Sequence, residues 1–522
     1  MSASPSAATA ASPASARGNL IPLLYLGLLG GIQGADPNIA STALLSANTA
    51  LKMGTLAALA ASISTFMLAA TVITTGMLAD RIGRKKILCL ALVTSAVGDV
   101  MAAAAPDPGV FLAGRALTGI GLGAVFGASF AYVRLYAGGK GGIAGALGIF
   151  SAAASAAALL FTFIGATLVG VDWRVAFLLI PVASLACIPV ALVLLPRDTK
   201  WTGDAPWDAL GQILLGFGVI AMLYGISHAG VEIASPLTIV PIVVGVLLLI
   251  GFAAWEHHMG EPGFFPVGVF RHPLFLVAIM AGLIYNLSCG ALLLSYSNLF
   301  QYEYDLRGLT LSLMQLPNLL AGIFAALVAG RLIGGGKVSR HDAIFIGAVI
   351  TAAGCILFGA TALARPASVL AYIPALIIVG IGPIIPAVPY GGLVLEFADP
   401  RHYGAVSSSR TTIGQFFYAI GLAGSTVIID TLTRGAVQAK LGSSAVVQLD
   451  AWSVSGTKPS NPDVLAAASE AFTGSFATMM VILTIIVLVA GVLALALARV
   501  ARRRAGAPSA GPSPAPGAAA TP

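Results

Sequence analysis

The sequence predicts an all-α polytopic membrane protein with about 14 transmembrane spans, arranged as two six-helix bundles plus two inserted helices. Three observations predict it. Hydrophobic residues make up 58% of the 522 and charged residues only 9%, with mean hydropathy +0.95. A soluble domain carries roughly 25% charged residues, so water cannot be what covers this surface, and lipid is the expected partner. The apolar residues fall into runs of about 20 or more, the length one bilayer crossing needs. The basic residues gather in alternate loops between those runs.

The runs lie near 20–44, 54–79, 87–105, 109–133, 143–170 and 175–196, then 208–229 and 236–255. Six more follow near 274–300, 309–333, 342–363, 369–394, 408–432 and 474–499. With the N-terminus in the cytoplasm, 19 of the 27 basic residues fall in inner loops and tails, Lys140, Arg197, Lys200, Arg401 and Arg410 among them. Seven fall outside, including Arg307, and Arg115 is left inside a span. That asymmetry favours an even count with both termini cytoplasmic. The expected domains are a disordered tail 1–18, a first bundle 19–200, an inserted pair 201–258, a second bundle 259–500 with a long outer loop 433–473, and a disordered tail 501–522. The composition suits a bacterial inner membrane. The first run contains Asp36 and lacks an Ala-x-Ala exit, so it reads as a retained span, not a cleaved signal.

The net charge of +7 is spread over short loops, which argues against nucleic acid. Cys89, Cys187, Cys289 and Cys355 all sit in apolar runs and read as small core residues, with no metal set or cofactor site. There is no nucleotide-binding loop, and His257-His258 beside Glu256, the one enzyme-like cluster, reads as a linker after the eighth span. The chain is therefore expected not to be an enzyme.

Three ionisable residues stand well inside spans: Asp36, Asp99 and Arg115. A charge at mid-helix costs about 2.5–3.5 kcal/mol on insertion scales, so such groups pair or border water. Asp99 precedes the turn at Pro106 by about seven residues, and Arg115 follows it by about six, so both lie at similar depth at 1.5 Å per residue. Asp36 reaches the same half, and one cation can serve either carboxylate. The expected role is proton coupling, the alternative being a static buried pair. After the second span comes Gly76-Met-Leu-Ala-Asp80-Arg81-Ile-Gly83-Arg84-Lys85-Lys86. Here Asp80 ends a helix within reach of a neighbouring helix or an arginine such as Arg134, Gly83 permits a turn, and the cations hold the loop inside. Gly330–Arg340 repeats its outline after the tenth span, as two halves of like orientation would. A sparse set of polar and aromatic residues reads as the wall of a substrate cavity: Asn38, Tyr285, Asn286, Gln315, Asn318, Tyr390, Gln415 and Phe416, with interhelical hydrogen bonding as the alternative for each.

These residues resemble the major facilitator superfamily, and within it the fourteen-span drug:proton antiporters. The Gly76–Lys85 loop is similar to the family's loop between spans 2 and 3, Arg115 with Gly119 to its span-4 motif, and Asp36 with Ala43-Leu44 to its span-1 motif. Trp173-Arg174-x-x-Phe177 with Pro181 resembles the entry to span 6, and Gly404, Arg410 and Gly414 resemble span 13. The resemblance implies a cavity faced by Asp36 and Arg115, a gate contact at Asp80, and export of a small drug or metabolite driven by protons. A periplasmic adaptor partner is left open. The sequence departs from that pattern in its fifth span, where Leu160-Phe-Thr-Phe-Ile-Gly165 carries no proline, and in its first, where Pro37-Asn38 and Ser41 replace Thr and Asn. The fifth-span departure keeps uptake of a nutrient, vitamin or aromatic acid as the alternative.

Overall fold

A computed structural model describes residues 20–53, 56–137, 142–196, 208–230, 232–260, 265–306, 308–396, 403–455, 459 and 461–506. Among them every regular element is helical. Helices α1 (Leu20–Leu51), α2 (Ala57–Ile82), α3 (Arg84–Ala104), α4 (Pro108–Val133) and α5 (Gly142–Val169) are followed by a pair broken at Leu178, α6 (Trp173–Phe177) and α7 (Leu179–Leu194). Then come α8 (Ala209–Ala229) and α9 (Pro236–Met259). The rest are α10 (Pro273–Tyr304), α11 (Gly308–Gly334), α12 (Arg340–Ala364), α13 (Ile373–Glu396), α14 (Tyr403–Leu441), α15 (Ser443–Ser455) and α16 (Pro462–Gly506).

Among the described residues 13 helices are long and apolar enough to cross a membrane, with α6 and α7 forming one span. Helix α1 is a further 32-residue helix outside that set. Gln33, Asp36 and Asn38 interrupt its apolar run, which is the physical reason the count of fourteen stands as approximate.

The packing repeats. Helix α1 lies on α5, α4 on α2 and α3, and α3 on α7. In the second half α10 lies on α14, α13 on α11 and α12, and α12 on α16. The two sets match helix for helix. They also meet symmetrically, since α5 packs on α11, the counterpart of α2, while α2 packs on α14, the counterpart of α5. The inserted α8 and α9 pack on each other, and α8 covers α2 and α14.

The α2–α3 loop and its repeat after α11 lie at one end of the bundle, the basic end below. There α5 and α11 cross so closely that a Cβ on Gly148 would stand 3.0 Å from the Gly330 Cα. Small residues let two helix backbones approach without a side chain between them.

Four expectations need correction. The outer loop 433–473 is mostly helix: α14 runs on to Leu441, α15 follows, and α16 starts at Pro462. Val437, Ala445, Val464 and Ala468 bury a small core of their own there. Ala, Leu, Gln and Lys favour helix even where polar neighbours dilute hydropathy. His257 and His258 occupy the last turn of α9, not a linker. The C-terminal tail begins later than residue 501, because α16 continues to Gly506. Arg410 lies in α14, seven residues past its start, not in a loop. Lys140, Arg197, Lys200, Arg307 and Arg401 lie outside the described residues, as do the tail segments 1–18 and 507–522.

Candidate functional site

The three in-span charges meet. Arg115 on α4 donates from one terminal nitrogen to Asp36 Oδ1 at 2.6 Å and to Asp99 Oδ1 at 2.9 Å, and from the other to Asp36 Oδ2 at 2.9 Å. The arginine thus grips Asp36 of α1 with both prongs and serves Asp99 of α3 at the same time. Two-pronged arginine–carboxylate pairs are the strong, geometrically specific ones. Ser64 of α2 donates to Asp36 Oδ2 at 3.0 Å, and Thr118, one turn along α4, donates to Asp99 Oδ1 at 2.9 Å. Four helices converge on one guanidinium.

Glycines make the convergence feasible. A Cβ on Gly98 would stand 2.4 Å from the Thr118 nitrogen, and one on Gly119 would stand 2.1 Å from the Ser64 carbonyl oxygen. Any side chain there would push α3 or α2 away from α4 and draw Asp99 or Ser64 out of reach. The span-4 glycines therefore set the site's dimensions as well as its packing.

The cluster is sealed in this conformation. Arg115 and Asp99 have no solvent exposure, and Asp36 keeps 2%. Phe177 lies 5.3 Å from the Arg115 guanidinium, and Phe111 and Trp173 meet Phe177 and each other edge to face at the end opposite the basic one. Arg174 donates to the Ala103 and Ala105 carbonyls at the end of α3, which pins this aromatic lid. Two buried groups stay without a partner, Asp99 Oδ2 and Arg115 Nε. Orphaned buried polar atoms are rare and costly. With one cation and two carboxyls, the cluster is electrically neutral only when one carboxyl carries a proton.

The α2–α3 loop is built by its own motif. Gly83 takes φ 117°, a conformation that favours glycine. Asp80 accepts from Arg84 at 2.9 and 3.1 Å across that turn. Lys85 donates to the Leu192 and Leu195 carbonyls at the end of α7, at 2.6 and 2.7 Å, where a cation also suits the helix dipole. Gly76 is buried in α2 and Arg81 stands in its last turn. In the repeat, Arg340 pairs with Glu396.

The eight expected cavity residues divide. Asn38 bonds toward Thr162 of α5, Gln315 to Ser297 of α10, and Asn318 to the Leu376 carbonyl of α13, so these three tie helices together. Asn286 and Tyr390 gather instead near Arg410: the Tyr390 hydroxyl donates to the Arg410 carbonyl at 2.9 Å, and Asn286 touches Gly414 one turn on, while Tyr285 is half-buried on α10. Gln415 and Phe416 are half-buried on α14. None of the eight lines the cavity of about 540 Å³ at the opposite end, between α10, α14, α15 and α16, which Glu303, Asp430 and Phe472 help to wall. Ser64, Thr118, Phe177 and Arg410 were not expected as site residues. Phe177 and Arg410 stood in the span-6 and span-13 motifs without a role, Thr118 left a signal as a hydroxyl three residues after Arg115 on the same face, and Ser64 left none.

A bundle of apolar, membrane-spanning helices in two matching halves around a buried charge cluster has the architecture of a multi-pass membrane transporter of small molecules. The chain belongs to the Major Facilitator Superfamily, whose family model matches residues 19–422. It is 27% identical over 383 residues to a puromycin resistance protein of Streptomyces alboniger, covering 72% of this chain and 74% of that one. It is also 27% identical over 391 residues to a multidrug resistance protein B homolog of Mycobacterium tuberculosis, covering 72% and 70%. Among solved structures, the proton:xylose symporter XylE superposes with a TM-score of 0.57 at 13% identity, over 90% of this chain and 95% of that one. The human organic anion transporter MFSD10 superposes with a TM-score of 0.52 at 15% identity, over 91% and 100%. These two show the shared fold.

Proposed function

We propose that this transporter exports small amphipathic compounds across a bacterial inner membrane in exchange for protons, with Asp36, Asp99 and Arg115 as the proton-coupling cluster. One observation carries the reading: two carboxyls share one guanidinium in a dry site, and Asp99 Oδ2 has no partner. A proton on Asp99 would balance the charge and supply a donor at the vacant oxygen. Loss of that proton would leave an uncompensated buried charge, which favours opening of the site to water. A site that is stable closed when protonated and stable open when not can tie proton movement to alternating access. A membrane potential contributes about 2.3 kcal/mol per charge per 100 mV, enough to drive concentrative transport without ATP.

In this proposal the basic end faces the cytoplasm with both termini, Asp80 and Arg84 form part of its gate, and the chain divides into bundles 19–200 and 259–500 around the inserted pair 201–258. Resistance proteins among the relatives support the export direction and make puromycin a natural probe. Any periplasmic adaptor would dock at the opposite end. The test is proton flux in everted vesicles loaded with a pH-sensitive dye. Puromycin should trigger proton release from vesicles holding the native chain, and Asp36→Asn should abolish it while the protein still inserts. Undiminished flux in Asp36→Asn would remove the cluster from the coupling mechanism. Uptake remains the second reading because α5 contains no proline. Growth of a deletion strain separates the two, since sensitivity to a toxic compound supports export and loss of growth on a nutrient supports uptake.

A further inference from the structure

A second arginine, half-buried, stands far from the first. The Arg410 guanidinium on α14 lies between two aromatic faces, 4.7 Å from the Phe130 ring of α4 and 5.0 Å from the Tyr390 ring of α13. Its Nε is buried without a partner. Among the described residues no carboxylate pairs with it, and the Tyr390 hydroxyl donates to the Arg410 backbone carbonyl. A half-buried cation whose Nε has no partner costs free energy unless something anionic answers it.

The location says when. Phe130 belongs to the first half of the molecule, whereas Arg410 and Tyr390 belong to the second. They meet at the basic end, with Phe126 stacked on Phe130 and Phe150 edge-on to it. When the halves part at that end, Phe130 must leave the guanidinium. The cation then loses one aromatic face and gains open space in an apolar, aromatic-walled mouth. An anionic group with an apolar body would fill both vacancies. Arg115 and Phe130 are 15 residues apart on α4, about 22 Å at 1.5 Å per residue, so this site and the carboxyl cluster do not overlap.

We propose that Arg410, beside the Tyr390 ring, binds the carboxylate of an amphipathic aromatic acid at the basic-end mouth, and that the bound anion takes the place of Phe130. The inference rests on the reading of the chain as a carrier of amphipathic compounds and names a substrate class for it. By binding only where Phe130 has withdrawn, the anion would favour the state open at the basic end.

The test uses full-length protein in lipid nanodiscs, titrated calorimetrically with 1-naphthaleneacetate, with its uncharged amide, and with sodium chloride. The acid should bind about tenfold more tightly than the amide, as a charge-assisted contact requires, and should outcompete chloride. Arg410→Gln should bring acid and amide to the same affinity, and Arg410→Lys should restore most of the preference. Equal binding of acid and amide to the native protein, no binding of either, chloride binding as strong as the acid's, or a preference that survives Arg410→Gln would each overturn the proposal. The native-protein comparison needs no variant, so a folding defect cannot hide the answer. Puromycin-driven proton flux without any acid preference would sink this inference alone, whereas an acid preference without proton flux would sink the coupling reading alone.

Discussion

Helix α4 carries a buried arginine near one end and touches a half-buried one near the other, and the two are solved in opposite ways. Arg115 is surrounded by acceptors: two carboxylates bind it, and Ser64 and Thr118 brace those carboxylates in turn. Arg410 has aromatic rings where Arg115 has acids. The first site has one carboxylate more than it has cations, and the second, among the described residues, has a cation and no carboxylate. A static interior would have little reason to keep both imbalances, because replacing buried ionic groups by well-packed apolar ones is often neutral or stabilising. Both become intelligible when each imbalance is the resting state of a binding site, one for a proton and one for an anion.

The contrast can be broken in order of expected effect. Arg115→Leu should cost most, about 3–5 kcal/mol, because it strands two carboxyls in a dry site. Thermal unfolding of the full-length protein in nanodiscs measures it, and a loss under about 1 kcal/mol would mean the carboxyls are not held as described. Asp36→Asn removes the two-pronged contact and should cost about 1.5–3 kcal/mol in the same assay, as expected for hydrogen bonds to a charged group. Gly119→Ala should cost about 1–3 kcal/mol by overpacking, since its Cβ would meet the Ser64 carbonyl oxygen at 2.1 Å. It should also reduce transport, by shifting α2 and lifting Ser64 off Asp36, and full transport would show that Ser64 is dispensable. Arg410→Leu is the sharpening case. It gives up a cation–π contact but also an unanswered charge, so its stability should stay within about 1 kcal/mol of the native protein. A loss as large as that of Arg115→Leu would erase the distinction between the two ends of α4.

The carboxyl cluster was legible in the sequence because charge inside an apolar run is expensive and therefore conspicuous. Counting residues from the Pro106 turn placed Asp99 and Arg115 at one depth, and the structure joins them through one nitrogen. What counting could not show was simultaneity, because which carboxylate an arginine serves depends on how closely three helices approach at Gly98, Gly114 and Gly119. Arg410 was hidden by the rule that made the topology readable. A basic residue a few positions from a span's expected start is assigned to the cytoplasmic loop, and only the extension of α14 back to Tyr403 draws it inside. The segment 433–473 misled for a related reason, since polar side chains on a helix that packs against its neighbours at the bundle's end lower hydropathy without lowering helix propensity. Ser64 was invisible because a serine in an apolar helix is ordinary until its partner is known.

Infrared difference spectroscopy across a step from acidic to alkaline buffer addresses the proton directly. In the native full-length protein a carbonyl stretch of a protonated carboxyl should be present at the acidic side and disappear on deprotonation, and Asp99→Asn should delete that band while leaving the Arg115–Asp36 pair folded. Spectra with no such band at any pH, or a band unchanged in both Asp99→Asn and Asp36→Asn, would mean that this interior holds its two carboxylates and one arginine without a proton.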